Sequence, residues 1–141
     1  MWFLHGKWFR EVEMSKLGSY LIVQEDILRD AKIRDLIESM GYEGFGIYIS
    51  ILTLMRNYSD TGYKVPWIEV RKISRWDLLM PEEELKRFID SCIECNLFKA
   101  DDRYFWSERR RNALLEQQES LKETSERNKK NIQKRWEKKD L

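Results

Sequence analysis

Pro81-Glu82-Glu83-Glu84-Leu85-Lys86-Arg87-Phe88-Ile89-Asp90-Ser91-Cys92-Ile93-Glu94-Cys95-Asn96, running on into Leu97-Phe98-Lys99-Ala100-Asp101-Asp102-Arg103-Tyr104-Phe105-Trp106, decides the fold. Proline at a first helical turn loses no hydrogen bond, because the N–H it lacks has no partner there. The three glutamates that follow sit at the positive end of the helix dipole. Leu85, Phe88, Ile89, Cys92 and Ile93 fall at helical spacing and make one buried stripe. Asn96 suits a left-handed stop. Two apolar runs, 97–98 and 104–106, then flank an Asp-Asp turn, the pattern of a β-hairpin.

Upstream, Ile33, Leu36, Ile37 and Met40 lie on one helical face, so residues 30–40 are expected to be helical. Asp26 or Asp30 can cap the start, and Gly41 suits a left-handed end. Residues 43–59 are apolar on most sides, from Phe45 to Tyr58, which marks a central core helix. Gly44 and Gly46 are read as allowing a close helix crossing. A phosphate loop fails here, because no Gly-Lys-Ser/Thr follows and no strand precedes. Ser59-Asp60-Thr61-Gly62 reads as a turn, and Tyr63-Lys64-Val65 as a short strand closed by Pro66. Residues 67–76 read as a helix with Ile68, Ile73 and Trp76 as its apolar positions. Trp67, Trp76, Phe105 and Trp106 are expected to pack between the helices and the hairpin. From Ser107, a candidate N-cap, to Lys139 there is no Gly or Pro. Leu114, Leu115 and Leu121 give this long helix a weak stripe, followed only by Ile132 and Trp136. Its second half has little to bury and is expected to fray unless a partner binds.

Helix, short strand, helix, helix and hairpin is the order of a winged helix. The expected fold is therefore mainly α (α+β minor): a winged helix-turn-helix with an extra N-terminal helix and a long C-terminal helix. Composition agrees: 141 residues, 42% apolar and 36% charged, with six Gly, two Pro and 13% aromatics, argue for a folded, mostly helical domain. The expected division is an atypical extension at 1–18, a domain at 19–121 and a basic tail at 122–141. Trp2, Phe3, Trp8 and Phe9 are bulky without a period, from a start site placed too early or as an arm that packs on a neighbour. No repeat is visible.

The net charge of +1 excludes a uniformly basic binder, but the charge is uneven. Residues 1–106 hold 15 basic and 18 acidic side chains, whereas 107–141 hold 11 and 7. No run is long enough to span a membrane, and no export signal is visible, so a cytoplasmic protein is expected. Two cysteines make no disulfide framework. Cys92-Ile93-Glu94-Cys95 lacks the four ligands zinc needs. It also sits at a helix C-terminus, which disfavours a thiolate. His5 is the only histidine, and no catalytic arrangement is credible. No enzyme activity, cofactor or metal is expected.

Several of these segments resemble the N-terminal domains of phage replisome organisers, a DnaD-like winged-helix family. Asp30-Ala31-Lys32-Ile33, with Gly41-Tyr42-Glu43-Gly44-Phe45-Gly46-Ile47-Tyr48, is similar to the family's opening, with Phe45 where Tyr is usual. Asn96-Leu97-Phe98 and Tyr104-Phe105-Trp106-Ser107-Glu108-Arg109 resemble its Gly-Leu-Phe, wing and Trp-Ser-x-Arg, with Asn96 for Gly. Arg127-Asn128-Lys129-Lys130 and Lys134-Arg135-Trp136 resemble its basic segment ending in Arg-Trp. The resemblance spans about residues 19–137. It implies a role in replication initiation, loading a helicase or remodelling an origin. Members commonly carry a further C-terminal region, and without it full replisome-organiser activity is not implied.

The candidate nucleic-acid residues are Arg109, Arg110, Arg111, Arg127, Lys129, Lys130, Lys134 and Arg135, because phosphate binding needs clustered cations. Trp136 can stack on an unpaired base. Lys86 and Arg87 on the 81–95 helix, and Arg103 in the hairpin, are weaker candidates, because acidic neighbours oppose phosphate there. The expected function is weak, largely non-specific DNA binding through the tail, with self-association into a homo-oligomer. One alternative is a protein–protein module that docks on a helicase or loader. Another is a sequence-specific transcription regulator, which needs base reading by the helix that starts with three glutamates.

Overall fold

The computed structural model describes residues 21–139. The 1–18 extension with its four bulky aromatics and His5 lies outside the described residues. The chain is mainly helical with one small antiparallel sheet.

A short 3-10 turn, Ile27–Arg29, leads into α1, Ala31–Leu54, whose start is capped by the Asp30 carboxylate accepting from the Lys32 N–H at 2.9 Å. The two helices expected at 30–40 and 43–59 are joined into α1 across Gly41. That residue has φ 70° and ψ −174°, a fully mirror-extended conformation and not the left-handed helical stop expected of it. The chain kinks there and resumes helix at once. From Met55 to Thr61 the helix tightens to 3-10, ending on Gly62 at φ 67°.

β1, Val65–Pro66, is an edge strand, where a proline costs no ladder bond. It pairs with β3, Tyr104–Trp106, which also pairs with β2, Lys99–Ala100, so the sheet order is β1-β3-β2. Both pairings are antiparallel, with Val65 opposite Phe105 and Ala100 also opposite Phe105. The hairpin arm is shorter than expected. Leu97 and Phe98 both donate their N–H to the Cys92 carbonyl (2.9 and 3.1 Å), so they close the preceding helix before any ladder begins.

Residues 67–77 form one continuous helical segment, here α2. It runs from a 3-10 turn (Trp67–Glu69) through one α turn (Val70–Lys72) into a π turn (Ile73–Asp77). The Trp67 N–H donates to the Arg103 carbonyl at 2.9 Å and pins its start to the hairpin. α3, Glu82–Glu94, follows a four-residue connection, 78–81; α4 runs Glu108–Lys139.

The core lies between α1, α2, α3, the sheet and the first turns of α4. Ile33, Leu36, Ile51, Met55, Val65, Val70, Leu85, Phe88, Ile89 and Phe105 are almost fully buried in it. Phe98 stacks on Tyr48 at 5.6 Å and tilts against Phe105 at 6.1 Å. Gly44 sits where α1 meets α3: a Cβ there would lie 2.7 Å from Met40 Cβ and 3.6 Å from Phe88. Gly46 faces open space, so only the first of the two glycines serves the crossing.

One expectation is overturned. Ile68 and Trp76, expected to pack inward, are 88% and 69% exposed; Ile73 is buried as expected, and Val70 and Ser74 are buried with it. The reason is phase: Val70 and Ile73 are three apart and share the face that meets α3, while Ile68 and Trp76 lie on the other side. The second half of α4 is helical to Lys139, a run of good helix formers without Gly or Pro, and every described residue from Gln118 on is exposed. Among the described residues no helix is long and apolar enough to cross a membrane.

Candidate nucleic-acid interface

Ser107 caps α4, its hydroxyl accepting from the Arg110 N–H at 3.3 Å. That cap fixes the phase of three consecutive arginines. Arg109 projects outward and meets Asp30 at 3.5 Å, an exposed pair. Arg110 turns inward. It is only 9% exposed, and its Nε donates to the Leu52 carbonyl at 3.2 Å. Burial, with Arg56 nearby, pushes its pKa down. Arg111 donates Nε to the Gly62 carbonyl at 2.8 Å. Arg110 and Arg111 thus tie α4 to the end of α1 and to the turn before β1. Arg110 is a buried structural residue and leaves the set of phosphate-binding candidates; Arg111 is held in the body by the same kind of bond.

Two of the three weaker candidates are also engaged. Lys86 pairs with Glu82 one turn earlier, at 3.3 Å. Arg87 leans on the Glu83 carbonyl at 3.4 Å. Arg103 is exposed at the hairpin tip, where the Asp101 carboxylate accepts from the Arg103 and Tyr104 N–H groups, both at 2.8 Å. Those two bonds lower the Asp101 pKa, so a negative charge is built into the tip. Lys64 lies over the Trp106 ring at 4.3 Å, and the Trp106 Nε1 donates to Glu108 at 2.8 Å.

The distal part of α4 differs from all of these. From Gln118 to Lys139 it carries eight basic and four acidic residues. Arg127, Lys129, Lys130, Lys134 and Arg135 are all exposed, and none takes part in an ion pair among the described residues. Trp136 is 64% exposed, with Lys139 5.7 Å from its ring. At ~1.5 Å per residue, these 22 residues extend about 33 Å.

A second group was not visible in the sequence. Arg71, Lys72 and Arg75 are exposed on α2, on the same side as Ile68 and Trp76, and form no ion pair among the described residues. Their spacing of three and four is a helical signal. Ile68 and Trp76, apolar and interleaved with these cations, hide it by suggesting a core face.

The chain is thus a mainly helical domain with a small sheet, one kinked core helix and a protruding basic helix. Residues 20–109 match the model of the Lin1244/Lin1753-like, N-terminal family, and the chain belongs to that family. The match ends at the start of α4, so the protruding basic part lies beyond it. Comparison with curated proteins and with solved structures gives no match in either.

Proposed function

We propose that this chain is a non-enzymatic, winged-helix module of DNA-replication initiation, of the DnaD-like replisome-organiser type. It binds DNA weakly and with little sequence preference through the distal half of α4, and it self-associates. Several observations support the winged-helix reading. α1 with its 3-10 end, β1, α2, α3, β2 and β3 follow one another in the winged-helix order, and β3 lies between β1 and β2. The N-terminal part of α1 is then the extra helix and α4 the long C-terminal one.

The observation that carries the DNA reading is the exposed, unpaired cation array from Lys122 to Lys139. It packs on no other described residue, and a polyanion releases counterions when it meets such an array. Base reading by α3 is disfavoured, because Glu82, Glu83 and Glu84 occupy the end that enters a groove.

The test is fluorescence anisotropy with single- and double-stranded DNA across a salt series. Deleting 122–141 is expected to abolish most affinity and flatten the salt dependence. Unchanged binding after the deletion sinks the tail reading. Affinity absent even at low salt favours the second reading, a docking module for a helicase or loader. The slightly acidic part of the chain before α4, with 15 basic and 18 acidic side chains over 1–106, favours that alternative.

A further inference from the structure

From Ile68 to Leu79, one side of α2 and the turn after it presents six side chains to solvent: Ile68, Arg71, Lys72, Arg75, Trp76 and Leu79. Three features make this face unusual. Its two aliphatics are 88% and 81% exposed and its indole 69%. Its three cations lack an anionic partner among the described residues. Its geometry is also held from within. The π turn closes with the Leu78 N–H on the Ile73 carbonyl at 2.9 Å, and the Met80 N–H reaches the Ser74 carbonyl at 2.9 Å. Between these two bonds Leu79 is fixed at φ 50°, a left-handed conformation that a leucine rarely adopts and that local hydrogen bonding sustains. The result is a leucine side chain held in water three residues after an exposed tryptophan.

We infer that this face binds single-stranded nucleic acid, with Arg71, Lys72 and Arg75 on successive phosphates and Trp76 stacked on an unpaired base. The inference rests on the DNA-binding reading above and gives it a second surface and a strand preference. Charge complementarity selects a polyanion: three cations lie within two helical turns, the only acidic residues in the segment being half-buried Glu69 and exposed Asp77. The apolar groups select the single strand. A duplex offers phosphates but keeps its base faces covered, so Ile68, Trp76 and Leu79 would stay wet against it. An unpaired base offers a π face to the indole, and stacking of this kind is tolerant of sequence. Arg75, 5.5 Å from the Trp76 ring, is placed to contact the phosphate beside the stacked base.

The test uses the full chain with 5-fluorotryptophan incorporated, the Trp76 fluorine resonance being assigned with Trp76→Phe. Titration with a dT20 oligonucleotide is expected to shift or broaden that resonance. A mixed-sequence 20-base-pair duplex at the same salt is expected to leave it nearly unmoved. Arg71→Glu/Lys72→Glu/Arg75→Glu should weaken dT20 binding by at least tenfold and lower its salt slope by about two, from three phosphate contacts at ~0.7 each. The same variant should bind duplex with a much smaller loss. Circular dichroism shows whether it remains folded, and Trp76→Ala alone should still weaken dT20 several-fold. A Trp76 resonance that stays still while dT20 binds overturns the inference. If that binding is also lost on charge reversal of Lys129, Lys130, Lys134 and Arg135, the tail reading stands alone. Absence of binding to either DNA overturns both. Self-association that Trp76→Ala removes, with no response to dT20, makes the face a protein contact and also overturns the inference.

Discussion

Arg109, Arg110 and Arg111 are adjacent in sequence and part ways within one helical turn. Residues on a helix point 100° apart, and the Ser107 cap decides which of the three faces the core. Arg110 is that residue. Replacing it with alanine strands the Leu52 carbonyl beneath the surface and removes a charged hydrogen bond, a loss of about 1.5–3 kcal/mol. Urea denaturation of Arg110→Ala should show that loss, whereas its DNA affinity should stay within about twofold of the parent. A large fall in affinity with the fold intact would return Arg110 to the interface. Cys92 makes a second prediction at this scale. Burial pushes its thiol up to about 12, while an unfolded cysteine titrates near about 8.5. The folded pKa is the higher one, so the stability this thiol contributes is intact below about pH 8.5 and is lost as pH rises towards 12. Tyr48, raised chiefly by burial, acts in the same direction. The urea midpoint should therefore fall between pH 8.5 and 10.5. Cys92→Ala, less stable at pH 7, should fall less steeply; parallel curves would refute the assignment.

At the scale of elements, α1 contains three glycines, of which two are required, each for a different reason. Gly41 has open space around it but a backbone conformation that is nearly exclusive to glycine. Gly41→Ala should cost about 1–3 kcal/mol through strain alone. Gly44 has ordinary dihedrals and no room, so Gly44→Ala should destabilise by clashing with Met40 across the Gly41 kink and crowding Phe88 of α3. Gly46 has neither constraint. Gly46→Ala should be neutral or stabilise by up to about 1 kcal/mol, the helix-propensity difference. Thermal denaturation of the three variants checks the order. α2 shows the converse problem for sequence reading. Its apolar residues were counted but their phase was wrong, since Ile68 and Trp76 lie opposite Val70 and Ile73. Three helix types within eleven residues blur the period that would have revealed this.

At the scale of the whole molecule, the body and the distal part of α4 differ in how they are held. The body has a contiguous core, whereas among the described residues nothing packs on 118–139. Local opening there costs little, because no buried contact is lost. Native-state hydrogen exchange should find the amides of 118–139 far less protected than those of Leu85 to Cys92 in α3. Added DNA should slow the distal amides if the tail binds it. Equal protection of the two regions without DNA would require a contact, such as a second copy, that covers the tail.

The sequence by itself determined the α3 stripe, the left-handed Asn96 at φ 63°, the hairpin, the Ser107 cap and the exposed basic tail. All of these rest on interactions within a few residues, which local pattern records directly. Only the tertiary structure decided that Gly41 is a kink between two joined helices and that Arg110 serves the Leu52 carbonyl 58 residues away. The same holds for Leu97 and Phe98 closing α3 and for the side of α2 that meets water. In α2 the choice of face depends on where α3 and the sheet lie, and no spacing within a segment carries that information. The basic, aromatic face of α2 was therefore hidden until its neighbours were in place.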